Sequence, residues 1–163
     1  MNLKKAVIII CAVWILIPAA WVIKNEIILH TGREVLLKTI PVDPRDLFMG
    51  DYVILNYEIS ALPENYKFIP NQNVYVLLEA DENNIAKIKS VSNTKPENEL
   101  FISGKISRAK CRNITGRCIK YGIESYYVKE NTGRKLEREL RNGALVKVSI
   151  DKDGSAKIKS INN

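Results

Sequence analysis

One histidine in 163 residues, His30, leaves no His-based triad or dyad within the rest of the chain and excludes a histidine-rich metal site. Three cysteines are too few for a disulfide-dense scaffold or a thiolate metal cluster without further ligands. Acidic residues are absent from the first 25 positions, and residues 6–23 carry no charge of either sign. No low-complexity linker interrupts the chain, so its length suits one domain with its own core rather than two. The formal charge of +7 suggests anionic partners, yet acids and bases alternate after position 25 and no basic cluster interleaves with aromatics. Nucleic acid is therefore not an expected partner, and a solvated mixed-charge surface accounts for the balance. Lys87, Lys89, Lys157 and Lys159 are the best positions for contact with an anionic headgroup or polymer.

What is present begins with residues 6–23, AVIIICAVWILIPAAWVI. Eighteen residues at about 1.5 Å each reach roughly 27 Å, enough to cross a thin or average bilayer. Lys4 and Lys5 precede the run, which by the positive-inside rule puts the amino terminus in the cytoplasm and the remainder on the far side. A cleaved signal peptide is the competing reading, because Pro18, Ala19 and Ala20 are small, but the run is longer than a usual signal core. Cys11 follows the bulky Ile10, unlike a lipidation cysteine, and fills the helix. The expected organisation is a cytoplasmic stub and transmembrane anchor over 1–24, a juxtamembrane tether over 25–34 and an extracytoplasmic β-rich domain over 35–163. Ile27, Ile28 and Leu29 also suit a helix that continues past the bilayer surface. Trp14 and Trp21, seven positions apart, share a helix face, and Ala20 permits close approach to another membrane helix.

Residues 41–59, PVDPRDLFMGDYVILNYEI, are the most informative stretch. Asp43 suits an N-cap, Pro44 the first helical position, Asp46 the positive helix end and Gly50 a helix stop, which predicts a helical turn over 44–49. A strand follows, with Val53, Leu55, Tyr57 and Ile59 facing a core and Tyr52, Ile54, Asn56 and Glu58 on the other face. Gly50, Asp51, Tyr52, Leu55 and Tyr57 spell the signature for which the GDYXXLXY family is named. Residues 121–130, YGIESYYVKE, also resemble that family's second recurrent stretch. The chain departs from the pattern at Lys129, where proline is common, and at Asn131 and Thr132, where glycine is expected. The resemblance implies a small, membrane-anchored bacterial protein of a functionally uncharacterised family. Pro44, Leu47, Gly50 and Asp51 also faintly resemble elements of membrane-anchored signal peptidases, but Ile40, Pro41 and Val42 stand where the nucleophilic serine belongs.

Elsewhere the sequence repeats itself. Residues 81–91 lie over residues 151–161 without a gap, an offset of 70, with Asp, Ala, Lys, Ile, Lys and Ser matching. Each copy follows an alternating strand, which predicts two similar β-hairpins, related either by duplication or by shared hairpin grammar. Residues 99–108 and 118–129 read as strands, and 134–140 has helical spacing before Asn142 and Gly143 stop it. Cys111 and Cys118 flank a hairpin tip, and they form either a disulfide or two free core residues. Asn113, Ile114 and Thr115 match a glycosylation acceptor that is idle in a bacterial setting. Asp151, Asp153 and Gly154 imitate a calcium loop but lack its remaining acids, so a turn is expected.

The expected fold is mainly β: one transmembrane helix, then a single antiparallel β-rich domain with one or two short helices. For function, a binding or accessory module is expected, with a membrane protein or envelope component as partner, no cofactor and no metal. Its expected surface is Asp51, Tyr52, Glu58, Glu124 and Arg45, while Gly50, Leu55, Tyr57 and Gly122 serve the motif's architecture. The alternative is a hydrolase using carboxylates around Asp51 and Glu124.

Overall fold

The computed structural model describes residues 3–41, 52–63, 66, 69–108, 111, 114, 116–127, 140 and 143–162. Helix α1, Leu3–Thr31, consumes the whole apolar run and continues beyond it, with Pro18 inside. Its 29 residues extend about 44 Å. Residues Val7–Thr31 have the length and composition to cross a membrane, and an 18-residue stretch of them has a mean hydropathy of 2.4 with none of it buried. Side chains all around the helix, among them Ile8, Trp14, Leu16 and Trp21, are exposed. A core helix of a soluble protein would cover such a surface, so α1 is consistent with a single-pass anchor, and a signal sequence has the same character.

Within 25–34 the helix persists through Thr31 and then joins β1, Arg33–Lys38, through Gly32 alone. Ile28 is the one buried residue of α1 among those described. Its carbonyl accepts the Gly32 N–H at 3.1 Å and the buried Ser149 hydroxyl at 2.6 Å. A Cβ at position 32 would lie 2.2 Å from Ser149 Oγ and 2.7 Å from the Ile28 carbonyl, so only glycine lets the helix end press this closely on the domain.

The other strands are β2, Tyr52–Ile54; β3, Asn73–Ala80; β4, Ala86–Ser92; β5, Phe101–Ile106; β6, Ile119–Lys120; β7, Ser125–Tyr127; β8, Leu145–Ile150; and β9, Ala156–Asn162. They form three antiparallel sheets, in the orders β1-β8-β9, β4-β3-β5-β6 and β2-β7. Alternation along each strand sends Val35, Leu37, Val146 and Val148 from the first sheet, and Val74, Val76, Ile102 and Ile106 from the second, into one shared core. Among the described residues the protein is thus mainly β with a single long helix.

The two hairpins agree far beyond their sequences. In β3-β4 the register shifts between Leu77 and Leu78, which leaves Lys89 as the bulged residue; in β8-β9 it shifts between Lys147 and Val148, which bulges Lys159, again at an offset of 70. Asp81 Oδ1 accepts the N–H groups of Asn83 and Ile85, and Asp151 Oδ1 accepts those of Asp153 and Ser155. Asn84 and Gly154 close the turns in the left-handed region, at φ 60° and 80°. Each hairpin has a third strand beside it, β5 on β3 and β1 on β8. The units then exchange contacts: Asn84 O accepts the Leu36 N–H at 3.0 Å, and Gly154 O accepts the Ser103 N–H at 2.8 Å. A common bulge, turn and reciprocal contact exceed what hairpin grammar requires, and favour duplication of one three-stranded unit.

Two expected strands are interrupted. Burial alternates from Val53 to Ile59 as the pattern predicts, but ladder pairing ends at Ile54 and a 3-10 turn occupies Glu58–Ser60. Residues 118–129 do not form one strand, because Gly122 takes φ 82° and divides β6 from β7 into different sheets. The helical turn over 44–49 lies outside the described residues. Of the helical spacing over 134–140, Leu140 is described; it is helical and buried, and its carbonyl accepts the Gly143 N–H at 3.1 Å. Gly143, at φ 79°, has the conformation that ends a helix.

Candidate functional site

Leu55, Tyr57 and Ile59 of the signature strand are drawn against the turn at 121–124. The Leu55 N–H donates to the Glu124 carbonyl at 2.8 Å, and the Tyr57 hydroxyl donates to the Ile123 carbonyl at 2.7 Å. In return the Tyr121 hydroxyl donates to the Ile59 carbonyl. The Glu124 carboxylate accepts the Tyr121 N–H through one oxygen and the Gly122 N–H, at 2.9 Å, through the other. Two tyrosines, each buried, therefore reach across to each other's segment and fasten the two halves of the motif. Burial, and after it the Glu124 charge, pushes both phenols well above their ordinary titration range, so both are neutral donors.

Of the residues expected to form a surface, Arg45 and Asp51 lie outside the described residues, as does the motif glycine Gly50. Tyr52 pairs with Tyr127 in the β2-β7 ladder, and the Tyr127 side chain is 77% exposed. Glu58 is exposed and ion-paired with Lys38 at 2.8 Å. Glu124 caps its own turn with both oxygens, and Leu55 and Tyr57 belong to the core. Cys111 and Cys118 are joined as a disulfide with Cα atoms 5.9 Å apart, and Cys118 is fully buried. His30 pairs with Glu26 on the helix surface at 2.9 Å. Among the described residues no group of three or more His, Cys, Asp or Glu side chains is placed to hold a metal ion. Of the lysines considered for anion contact, Lys87, Lys89 and Lys159 are engaged with Asp81, Glu99 and Glu34. Lys159, with Lys147, holds the Glu34 carboxyl below its usual range.

A feature that periodicity does not reveal lies at the junction of helix and domain. A cleft of about 850 Å3 opens between the last turns of α1 and the segments 98–101 and 150–153. Ile23, Ile27, Leu100, Phe101 and Ile150 supply apolar lining, and Lys24, Arg33 and Lys152 supply cations. The acids beside them are already committed: Asp153 to Lys95 at 2.6 Å, Glu99 to Lys89 at 3.1 Å and Asp151 to the amides of its own turn. Lys95 foremost holds the Asp153 carboxyl below its usual range, with Lys152 and Lys24 adding to the effect. The sequence signal is the basic pair Lys24 and Arg33 bracketing Ile27 and Ile28, legible only once the helix is known to run unbroken between them.

No curated protein and no solved structure matches the chain. The family model described as GDYXXLXY protein matches residues 14–161. That span takes in the last part of the apolar helix, the tyrosine clasp and both hairpins, and on it the chain belongs to the GDYXXLXY family.

Proposed function

We propose that this protein is a single-pass, membrane-anchored binding or accessory module whose β domain lies on the extracytoplasmic side and acts with a membrane protein or an envelope component. The observation that carries the reading is α1 itself: an apolar helix whose described side chains are exposed as far as Lys24, and which Ile28, Gly32 and Ser149 fix to the domain at its end. Such a joint holds the β domain at the bilayer surface in a set orientation, which suits a module that meets a neighbour in the same membrane. Lys4 and Lys5 before the helix support a cytoplasmic amino terminus. The Cys111–Cys118 bond supports an oxidising compartment for the domain. Since Glu124, Tyr57 and Leu55 serve the clasp, the motif's remaining residues Asp51 and Tyr52 are assigned to recognition.

The test is affinity capture of the full chain from mild detergent, beside Asp51→Ala and Tyr52→Ala variants shown to be folded. A multi-pass membrane protein recovered with the wild type and lost with both variants is the expected result. Identical recovery with all three, or none, contradicts a partner interface at the motif.

A further inference from the structure

We propose that the cleft between α1 and the β domain binds the headgroup of an anionic phospholipid taken from the bilayer that holds the helix. The cleft begins at Ala20 and Ile23, inside the apolar run, and ends among the polar turns at Asn98 and Asp151, so it spans the boundary between hydrocarbon and water. Its lining follows the same division. Ile23, Ile27, Leu100 and Phe101 offer an apolar wall to the first part of an acyl chain, while Lys24, Arg33 and Lys152 meet the headgroup.

Charge complementarity selects the anionic class. Among the described residues those three cations make no ion pair within 4.0 Å, whereas the three acids of the cleft are held by Lys95, by Lys89 and by turn amides. Lys24, Arg33 and Lys152 balance the three acids of the lining, and Lys89 and Lys95, paired with two of those acids, bring the cleft and its rim to a net positive charge, with a guanidinium and two ammonium groups left to meet phosphate oxygens. A choline or ethanolamine group brings its own cation and gains less. The apolar wall distinguishes a lipid from a free phosphate ion, which would leave Ile27 and Phe101 uncovered.

The inference rests on α1 lying in a bilayer. Resistance of the full chain to alkaline carbonate extraction reports that premise by itself, so its failure and the failure of the lipid site are distinguishable. The site is tested by native mass spectrometry of the full chain in a neutral detergent, titrated separately with dioleoylphosphatidylglycerol and dioleoylphosphatidylcholine. One phosphatidylglycerol molecule is expected to be retained in preference, and the triple change Lys24→Ala, Arg33→Ala, Lys152→Ala should weaken it by at least about tenfold. Lys38→Ala, Lys105→Ala, Lys120→Ala, which removes equal charge elsewhere on the domain, should leave retention unchanged. The single variant Lys152→Glu, on an exposed turn, gives the same readout should the triple variant fail to fold. Equal retention of both lipids, equal loss in both triple variants, or full displacement by inorganic phosphate overturns the proposal.

Discussion

Replacing Tyr57 by phenylalanine keeps the ring in the core and removes only the hydroxyl that donates to the Ile123 carbonyl at 2.7 Å. Ile123 is 3% exposed, so water cannot take the place of the lost donor. A buried acceptor left unpaired costs about 1–3 kcal/mol. In a domain of this size that corresponds to a fall in Tm of roughly 4 °C per kcal/mol. Tyr121→Phe should cost a similar amount through the Ile59 carbonyl, and Tyr57→Ala about 3–5 kcal/mol because a ring-sized void is added. The pH dependence reports the buried phenol itself, whose titration is raised by burial first and by the Glu124 charge second. Both phenols titrate higher in the folded than in the unfolded chain, whose value is about 10, so the folded state binds more protons in alkali. Their contribution is complete below pH about 10 and is lost as pH rises toward the folded values, at about 1.4 kcal/mol per pH unit for each tyrosine. Thermal unfolding followed by circular dichroism between pH 8 and 11 should show an alkaline slope in the wild type that is reduced in each single phenylalanine variant. Wild-type Tm and an unchanged alkaline slope in Tyr57→Phe would refute the clasp.

Further outcomes follow from the same structure. Reduction of the Cys111–Cys118 bond, which closes a sequence separation of 7, should lower stability by about 2.5 kcal/mol on the chain-entropy estimate, read as a Tm difference with and without reductant. Gly32→Ala should cost about 1–3 kcal/mol, because its Cβ meets Ser149 Oγ and the Ile28 carbonyl, and should open the junction to limited proteolysis between α1 and β1. Asp81→Ala and Asp151→Ala each remove the carboxylate oxygen that accepts two amide N–H groups in equivalent turns, so chemical denaturation should give losses of about 1–2 kcal/mol that agree within error. Gly122→Ala, with nothing within 4 Å of the added Cβ, should cost about 1–2 kcal/mol from backbone conformation alone, a loss that Gly122→Asn largely recovers.

The parts of this fold that were legible in the sequence are those written in local patterns. An uncharged run gives α1, alternation gives the buried series Val53, Leu55, Tyr57 and Ile59, and the repeated Asp, Lys, Ile, Lys and Ser give two hairpins. What was not legible depends on contacts between distant segments. Nothing near Tyr57 announces that its hydroxyl meets residue 123, and nothing near Tyr121 announces Ile59. Glu124 reads as an available carboxylate until the left-handed Gly122 turns two amides onto it. Residues 118–129 look like one strand because their apolar spacing is continuous, and a single glycine overrides that spacing. The cleft between α1 and the β domain combines Lys24, Leu100 and Lys152 from three separated segments, which no window of sequence contains.

The topology of the full chain in intact cells decides whether α1 holds the β domain on the extracytoplasmic face. Single cysteines placed at Lys5 and at Lys152, in a chain whose Cys11, Cys111 and Cys118 are replaced by serine or alanine, are challenged with a membrane-impermeant maleimide. Labelling is expected at position 152 in intact cells and at position 5 only after the membrane is opened, with the protein in the carbonate-resistant membrane fraction. Labelling at position 5 alone in intact cells, or recovery of the chain in the soluble fraction, would contradict it.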